Sequence, residues 1–307
     1  MPQRIAVIGA GTIGASWAAY FLARGFTVAA YDPAPNGEDF TRRFIENAWP
    51  TLEKLNAVTP GADRKRLQFF SEPAAVAEGA DFVQESGPER EDVKTDLFAA
   101  IDAAAPQETV IASSSSGLLI SRITARCRHP ERCVIGHPFN PPHLIPLVEV
   151  VGGTKTAPDA ITKAIDFYRA IGKHPIHIRK EVRGHAANRL QAALWREAIH
   201  LVTEGVVSVA DADAAIAYGP GLRWALMGPH LTFHMAGGDG GMSHFMNHIG
   251  PAVQSWMDDL GTPRLDPQTQ KVIVEGVAEE ARGRSMDDLR RWRDRKLIEI
   301  LRVAAKP

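Results

Sequence analysis

The glycine-rich run at residues 9–14, Gly-Ala-Gly-Thr-Ile-Gly, constrains the fold of this chain more than any other feature of the sequence. It follows the apolar, strand-like run Arg4–Ile8 and opens the helical stretch Ala15–Arg24. A strand, a turn of the form G-x-G-x-x-G and a helix are typical of a dinucleotide-binding βαβ unit. The first two glycines allow a tight turn and a close approach of pyrophosphate, and the third lets the helix pack on the strand. The phosphates then face the unpaired N–H groups of that helix.

An acidic residue stands where such a unit binds ribose. Asp32 ends the next strand-like run, Thr27–Tyr31, about 20 residues after the glycines, as the pattern requires. Its carboxylate can accept hydrogen bonds from the adenosine ribose, and it repels a 2′-phosphate. We therefore expect NAD rather than NADP, with FAD as the competing ligand of the motif. The predicted cofactor-binding residues of this turn are Gly9, Gly11, Thr12, Ile13, Gly14 and Asp32.

Strand-like and helical segments alternate through the first half of the chain with short connections between them. The further segments are strand-like at Ala80–Val83, Thr109–Ala112 and Cys133–Gly136, and helical at Phe40–Leu55 and Asp92–Ala103. Pro50 is expected to kink or divide the first of these helices, because proline lacks the N–H group that a helix interior needs. The alternation predicts an α/β fold, a Rossmann-like doubly wound parallel sheet.

The character of the sequence changes near residues 179–184, beyond which strand-like runs almost vanish. The remaining elements are helical at Ala186–Glu204, Val209–Tyr218 and Leu289–Ala304, with a glycine-rich loop at Gly237–Gly241. We therefore predict two domains, a Rossmann-like domain at residues 1–180 and an all-α domain at residues 181–307.

The charge balance and the cysteine count exclude several classes of protein. The chain has 35 Lys and Arg residues against 36 Asp and Glu residues, which gives no basic field for nucleic acid or an anionic membrane. No apolar run approaches the ~20 residues of a membrane helix, and we expect no secretory leader. The two cysteines, Cys127 and Cys133, exclude a disulfide scaffold and a four-cysteine metal site. We expect a cytoplasmic protein with reduced thiols and no bound metal.

A second set of polar motifs lies downstream of the glycine turn. These motifs are Ser113-Ser114-Ser115-Ser116-Gly117, Gly136-His137-Pro138-Phe139-Asn140-Pro141-Pro142, Leu147-Val148-Glu149 and Asn188-Arg189-Leu190. Together with the glycine turn they resemble the 3-hydroxyacyl-CoA dehydrogenase superfamily over essentially the whole chain. The resemblance implies a dehydrogenase that uses NAD as its cofactor.

The resemblance also implies the catalytic roles of four residues. His137 is the expected general base for the substrate hydroxyl, and Glu149 is expected to bond the far ring nitrogen and fix its tautomer. Ser116 and Asn188 are expected to hold the substrate oxygen. This agrees with the chemistry of alcohol oxidation, which needs a proton acceptor of near-neutral pKa and a hydride acceptor at one carbon. A carboxylate behind an imidazole is also the orienting arrangement of hydrolytic triads.

Three further residues are matched to cofactor contacts by the same resemblance. Asn140 is expected near the nicotinamide, and Glu89 and Lys94 are expected to touch the cofactor. The family likeness further implies a homodimer formed through the helical domain, with Leu289–Ala304 as a candidate part of the interface.

At several positions the sequence differs from the residues usual in the thioester-using enzymes of the superfamily. These differences point to a branch that uses free acids as substrates. The run Ser113–Ser116 stands where the thioester enzymes usually have Ser-Asn-Thr-Ser, and Pro138 replaces an aromatic residue. Arg183-Gly184-His185 stands where Pro-Gly-Phe is usual. Gly219–Pro229 contains an Arg-Trp pair, Arg223 and Trp224, that the thioester enzymes lack at this place.

The Arg-Trp pair suggests how a free acid could be bound. The Arg223 guanidinium can grip a carboxylate through two parallel hydrogen bonds, although a surface role or an internal ion pair is the alternative. Residues 223–256 most resemble carnitine-oxidising members of the branch. Aromatic faces attract a trimethylammonium group, and each aromatic residue could equally be an ordinary core residue. The candidate aromatic residues are Trp224, Phe233, Phe245 and Trp256.

Other functions stay open at this point. A gulonate dehydrogenase is compatible with Arg223, whereas a 3-hydroxybutyryl-CoA dehydrogenase is disfavoured by it. A crystallin-like protein that binds NAD without turnover is the alternative that is not an enzyme. The presence of Ser116, His137, Glu149 and Asn188 argues against that last alternative.

Overall fold

The computed structural model describes residues 3–304 and divides into two compact units. The first unit ends at Asn188 and the second begins at Arg189. This division falls eight residues after the position 180 that the sequence suggested. The reason is that residues 185–188 make hydrogen bonds to the first unit, as described below.

The first unit is built on one sheet of eight strands in the order β3-β2-β1-β4-β5-β6-β7-β8. The strands are β1 Arg4–Ile8, β2 Thr27–Tyr31, β3 Leu67–Phe69, β4 Phe82–Glu85, β5 Val110–Ser113, β6 Cys133–Pro138, β7 Leu147–Gly152 and β8 His174–Ile178. Neighbours are parallel except for β6 and β7, which are antiparallel. Only residues 139–146 join those two strands, which is too short for the crossover that a parallel pair needs. The predicted doubly wound α/β fold is confirmed, and β3, β7 and β8 are strands that the prediction lacked.

Six helices of the first unit connect these strands. They are α1 Thr12–Ala23, α2 Gly37–Lys54, α3 Pro73–Ala77, α4 Glu91–Ala104, α5 Ile120–Ile123 and α6 Pro158–Ala170. The sequence predicts that Pro50 kinks or divides α2, and it does not divide the helix, which runs through it. The buried side chains of Ile45, Trp49 and Leu52 hold the helix on the core on both sides of the proline.

The core lies on both faces of the sheet, as a mostly parallel sheet covered by helices requires. Alternate side chains of β1 enter different clusters: Ile5 and Val7 pack on one face, and Ala6 and Ile8 on the other. Helix α1 covers the first face, where its buried Trp17 stacks on Phe21 with ring centroids 5.1 Å apart. These contacts hold β1 and α1, the two elements on either side of the glycine turn, against the core.

The second unit is helical, and no strand occurs between Arg189 and Ala304. Its helices are α7 Ala187–Thr203, which begins at the end of the first unit, α8 Val209–Tyr218, α9 Pro220–Trp224, α10 Pro229–Ala236, α11 Gly241–His248, α12 Gly250–Asp259, α13 Pro267–Ala281 and α14 Met286–Ala304. The predicted loop at residues 237–241 includes a short 3₁₀ turn, Gly238–Gly240. Within residues 3–304 no helix combines the length and the apolar character needed to cross a membrane.

Candidate active site

The turn between β1 and α1 has the geometry that a bound pyrophosphate requires. Gly9 adopts φ +87°, and a Cβ there would lie 2.6 Å from the backbone nitrogen of Gly87. A Cβ on Gly14 would lie 1.9 Å from the Gly9 carbonyl oxygen, so any side chain would separate helix from strand. At Gly11, by contrast, no described atom lies within 4 Å of a Cβ, which leaves open space beside the backbone. The turn therefore fits a dinucleotide.

Asp32 lies next to this turn at the same edge of the sheet. It follows β2 directly, and the Gly9 backbone N–H donates to the Tyr31 carbonyl oxygen at 2.8 Å, which ties the two strand ends together. Asp32 Oδ1 accepts a hydrogen bond from the Ala34 backbone N–H at 2.9 Å, which holds the half-buried carboxylate in place. This placement fits the ribose role predicted for Asp32, and the preference for NAD over NADP stays a prediction.

A histidine and a glutamate face each other across the antiparallel pair of strands. His137 on β6 is the register partner of Glu149 on β7, and His137 Nδ1 lies 2.8 Å from Glu149 Oε2. Both side chains are buried, at 5% and 0% exposure. If Glu149 is ionised it can only accept, so Nδ1 carries the hydrogen and Nε2 keeps the lone pair. That tautomer is the one a general base needs.

Hydrogen bonds keep Glu149 in its ionised form. Its second oxygen, Oε1, accepts the backbone N–H groups of Ala186 and Ala187, each at 2.9 Å. Burial alone would raise the pKa of Glu149, but the bonds from His137, Ala187 and Ala186 outweigh it and leave that pKa below its usual range. Glu149 is therefore a carboxylate at neutral pH.

The serine run forms a turn after β5 that Glu89 organises. Glu89 Oε1 accepts from the Ser115 hydroxyl at 2.7 Å, from the Ser116 N–H at 3.0 Å and from the Gly117 N–H at 2.9 Å. Burial opposes ionisation of Glu89, yet these bonds and the charge of Lys94 lower its pKa. Glu89 thus holds Ser116 in place, and its predicted contact with the cofactor stays a prediction.

The residues that end the first unit complete the cluster. Asn188 Nδ2 donates to the Ser116 carbonyl oxygen at 3.2 Å. The ring of His185 lies 5.3 Å from the ring of His137, and its Nε2 lies 3.0 Å from the Ser115 carbonyl oxygen. The structure thus brings together all four predicted catalytic residues, although their roles stay predictions.

Lys94 and Glu85 form a buried ion pair beneath the turn at Gly87. Lys94 Nζ lies 2.6 Å from Glu85 Oε1 and donates to the Gly87 carbonyl oxygen at 3.1 Å. Glu85 Oε2 accepts the Ser113 hydroxyl at 2.6 Å. Lys94 is 1% exposed, so in this structure it supports the loop, and its cofactor contact stays a prediction. Glu85 was not among the predicted site residues, although its place at the carboxyl end of a strand was a usable signal.

Asn140 lies in the loop between β6 and β7 and is exposed. The Lys173 ammonium donates to the carbonyl oxygens of Pro142 and Ile145 in the same loop and lies 3.9 Å from the Tyr20 ring centroid. Burial, with a contribution from the nearby Arg24, lowers the pKa of Lys173 to about 7. Lys173, which was not among the predicted site residues, holds the loop that carries Asn140.

The predicted substrate residues lie in the second unit. Arg223 and Trp224 end the short helix α9, and both are exposed. Phe233 is 39% exposed and stacks on the buried Phe245 with ring centroids 4.8 Å apart. Their part in substrate binding stays a prediction. Across residues 3–304 no group of three or more His, Cys, Asp or Glu side chains is placed to hold a metal ion.

A doubly wound sheet with a dinucleotide turn and a buried histidine–carboxylate pair defines a nicotinamide-dependent dehydrogenase. The chain belongs to the 3-hydroxyacyl-CoA dehydrogenase family. Residues 4–182 match the NAD-binding domain of that family, and residues 184–284 match its C-terminal domain. NAD is therefore the cofactor of this enzyme.

Named relatives and solved structures agree with this assignment. The chain is 51% identical to the L-carnitine dehydrogenase of Streptomyces griseus over 99% of this chain and 90% of that protein. It is 49% identical to the L-carnitine dehydrogenase of Pseudomonas putida over 97% and 93% of the two chains. The crystal structure of 5-formyl-3-hydroxy-2-methylpyridine 4-carboxylic acid 5-dehydrogenase, an NAD⁺-dependent dismutase, matches with a TM-score of 0.85, 33% identity and 99% coverage of both chains.

Proposed function

We propose that this enzyme oxidises L-carnitine to 3-dehydrocarnitine with NAD. The observation that carries the chemistry is the buried His137–Glu149 pair, 2.8 Å apart, in the unit that binds the cofactor. The substrate is supported by the relatives about half identical to this chain over nearly its whole length, which are L-carnitine dehydrogenases.

Proton removal is the step that this chain's own residues perform. His137 Nε2 accepts the proton of the 3-hydroxyl group, and the ionised Glu149 stabilises the resulting imidazolium through Nδ1. Ser116 and Asn188 hold the substrate oxygen in line with Nε2. Bound NAD supplies the acceptor for the hydride that leaves C3, so the alcohol becomes a ketone and the proton passes from His137 to solvent.

The two charged ends of carnitine match residues of the second unit. Its carboxylate suits the guanidinium of Arg223, and its trimethylammonium suits the faces of Trp224 and Phe233. A CoA thioester has no carboxylate at that end. These assignments are part of the proposal.

The substrate proposal is tested by steady-state kinetics with a matched set of compounds. We expect L-carnitine to exceed 3-hydroxy-5,5-dimethylhexanoate, its neutral tert-butyl isostere, in kcat/KM, because each cation–π contact contributes about 0.5–2 kcal/mol. We expect Arg223→Ala to cost about 2–5 kcal/mol in kcat/KM if the bound ion pair is shielded from water. Arg223→Lys should also raise the KM for L-carnitine, since lysine cannot form two parallel hydrogen bonds to a carboxylate.

Two controls make this result decisive. Arg264→Ala removes another exposed arginine of the same unit and should leave KM for L-carnitine unchanged. If the isostere matches L-carnitine in kcat/KM, the pocket is apolar and does not recognise the cation. Faster turnover of L-gulonate or of 3-hydroxybutyryl-CoA would replace the proposed substrate.

We also propose that the enzyme is a homodimer formed through its helical unit. Among the described residues, every large hydrophobic side chain that is strongly exposed lies in this unit, including Trp195, Val274, Trp292 and Val303. Such apolar surface is typical of a face covered by another protein chain, and a second copy is the occupant that the family likeness implies. Sedimentation equilibrium should give twice the 33.4 kDa mass of one chain, and a monomer at micromolar concentration would contradict the proposal.

A further inference from the structure

His185 is a buried residue of the site, and the proposed reaction assigns it no role. It is 1% exposed, and its ring packs against that of His137 with centroids 5.3 Å apart. Its backbone has φ +50°, in the left-handed region that residues other than glycine adopt uncommonly, with Asn, Asp and His as the most frequent exceptions. Unusual backbone of this kind persists where the surrounding structure enforces it, and it clusters at functional sites.

The hydrogen bond of His185 fixes its tautomer. Nε2 lies 3.0 Å from the Ser115 carbonyl oxygen, and a carbonyl oxygen can only accept, so Nε2 carries a hydrogen. Burial lowers the pKa of His185, and the neighbouring His137 lowers it further. The ring is therefore neutral at pH 7, and its Nδ1 is a buried acceptor with no hydrogen-bond partner among the described residues.

His185 and Glu89 hold opposite sides of one peptide group. The carbonyl of the Ser115–Ser116 peptide accepts from His185 Nε2, and the N–H of the same peptide donates to Glu89 Oε1 at 3.0 Å. These two bonds determine the plane of the peptide. The plane in turn sets the direction in which the Ser116 side chain leaves the backbone.

We propose that His185 is a positioning residue of the reaction. Through Nε2–H it fixes the Ser115–Ser116 peptide, and with it the Ser116 hydroxyl, relative to the base His137. The proposal rests on the roles given above to Ser116 and His137. It adds a residue that works without touching the substrate.

Three charged or titratable groups face the His185 ring, and they determine its response to pH. His137, whose ring lies 5.3 Å away, lowers the pKa of His185, whereas the carboxylates of Glu149 and Glu89 raise it. Burial outweighs the carboxylates, and a proton on Nδ1 finds no acceptor among the described residues. Because the folded-state pKa lies below the unfolded value of about 6.5, the folded protein loses stability as pH falls below that value.

Two substitutions at His185 separate the N–H donor from the shape of the ring. His185→Phe keeps a ring and removes the donor, whereas His185→Gln keeps an amide N–H at about the reach of Nε2. Both residues meet the same backbone constraint at φ +50°, so the difference between them reports the hydrogen bond. We expect His185→Phe to lower kcat for L-carnitine by roughly 10–100-fold with the Kd for NAD unchanged, and His185→Gln to recover most of that loss.

The pH dependence of thermal unfolding gives a second measurement that needs no substrate. The apparent Tm of the wild-type enzyme should fall further between pH 7 and pH 5 than that of either variant, because neither variant has a ring that must stay unprotonated. His129→Gln removes an exposed histidine of the same unit and should leave both kcat and the pH dependence of Tm as in wild type. His185→Asn, which suits a left-handed backbone, provides a folded variant without Nε2 if His185→Phe does not fold.

The outcomes also separate this proposal from the proposed function. Wild-type kcat in His185→Phe, or equal losses in the Phe and Gln variants, would overturn the positioning role. If the wild-type enzyme does not oxidise L-carnitine but oxidises another 3-hydroxy acid, only the proposed substrate is overturned. The same His185 variants would then be compared on that acid.

Discussion

Replacing His137 by asparagine is expected to reduce kcat by about 10²–10⁴-fold, the range typical of a positioned acid–base group. The asparagine amide can still donate to Glu149 from near the position of Nδ1, so the substitution chiefly removes Nε2. The glycine turn that fits the pyrophosphate belongs to the β1–α1 connection and not to β6. NAD should therefore bind the variant with an unchanged Kd, measured by fluorescence titration.

The chain offers a matched control for this substitution. His129 and Glu131 form a second histidine–carboxylate pair, with Nδ1 and Oε1 3.2 Å apart, but these side chains are 46% and 52% exposed. His129→Asn should leave kcat unchanged. Near-normal turnover in His137→Asn, with L-carnitine at saturation, would show that another group takes the hydroxyl proton.

Local sequence was enough to predict β1, the glycine turn, α1 and β2. The glycine turn depends on backbone conformation, and Asp32 depends on its short spacing from that turn. Both features can be read from a single sequence. Two of the three strands that were not predicted, β3 and β8, have a weak sequence pattern for a physical reason. β3 has only three residues, and the half-exposed β8 alternates polar and apolar side chains weakly; these two are the edge strands of the sheet. Edge strands bury little surface, so their hydrophobic pattern is faint.

The site was predicted less completely, because several of its bonds join residues far apart in the chain. The family likeness assigned His137 and Glu149, but their register across an antiparallel pair depends on β7, an apolar run that was not predicted as a strand. The bond between His185 and the Ser115 carbonyl joins positions 70 residues apart, and no local pattern encodes it. Such contacts become visible only when the sheet and its connections are assembled.

Glu149→Gln is expected to reduce kcat by roughly 10²–10⁴-fold, comparable to the loss at His137, because the amide cannot reproduce the carboxylate's hydrogen bonds. Glu149 accepts from His137 Nδ1 through one oxygen and from the Ala186 and Ala187 N–H groups through the other. Glutamine has one acceptor oxygen and one NH₂ donor. If its oxygen serves the two backbone groups, its NH₂ faces Nδ1, and His137 must adopt the tautomer with hydrogen on Nε2. That tautomer cannot accept the substrate proton.

The alternative orientation of the glutamine also fails. Its oxygen then faces His137, and its NH₂ meets the N–H groups of Ala186 and Ala187, which leaves buried donors unpaired at a cost of about 1–3 kcal/mol in the free energy of unfolding. In this orientation His137 keeps its productive tautomer, but the neutral amide stabilises the imidazolium less than the carboxylate does, so a lower Tm together with reduced turnover identifies it; a normal Tm with lost turnover identifies the tautomer switch. Glu131→Gln, in the exposed pair, should change neither quantity. If Glu149→Gln kept wild-type kcat and Tm, Glu149 could not be what orients the base, and the ionised carboxylate beside His137 would need another role.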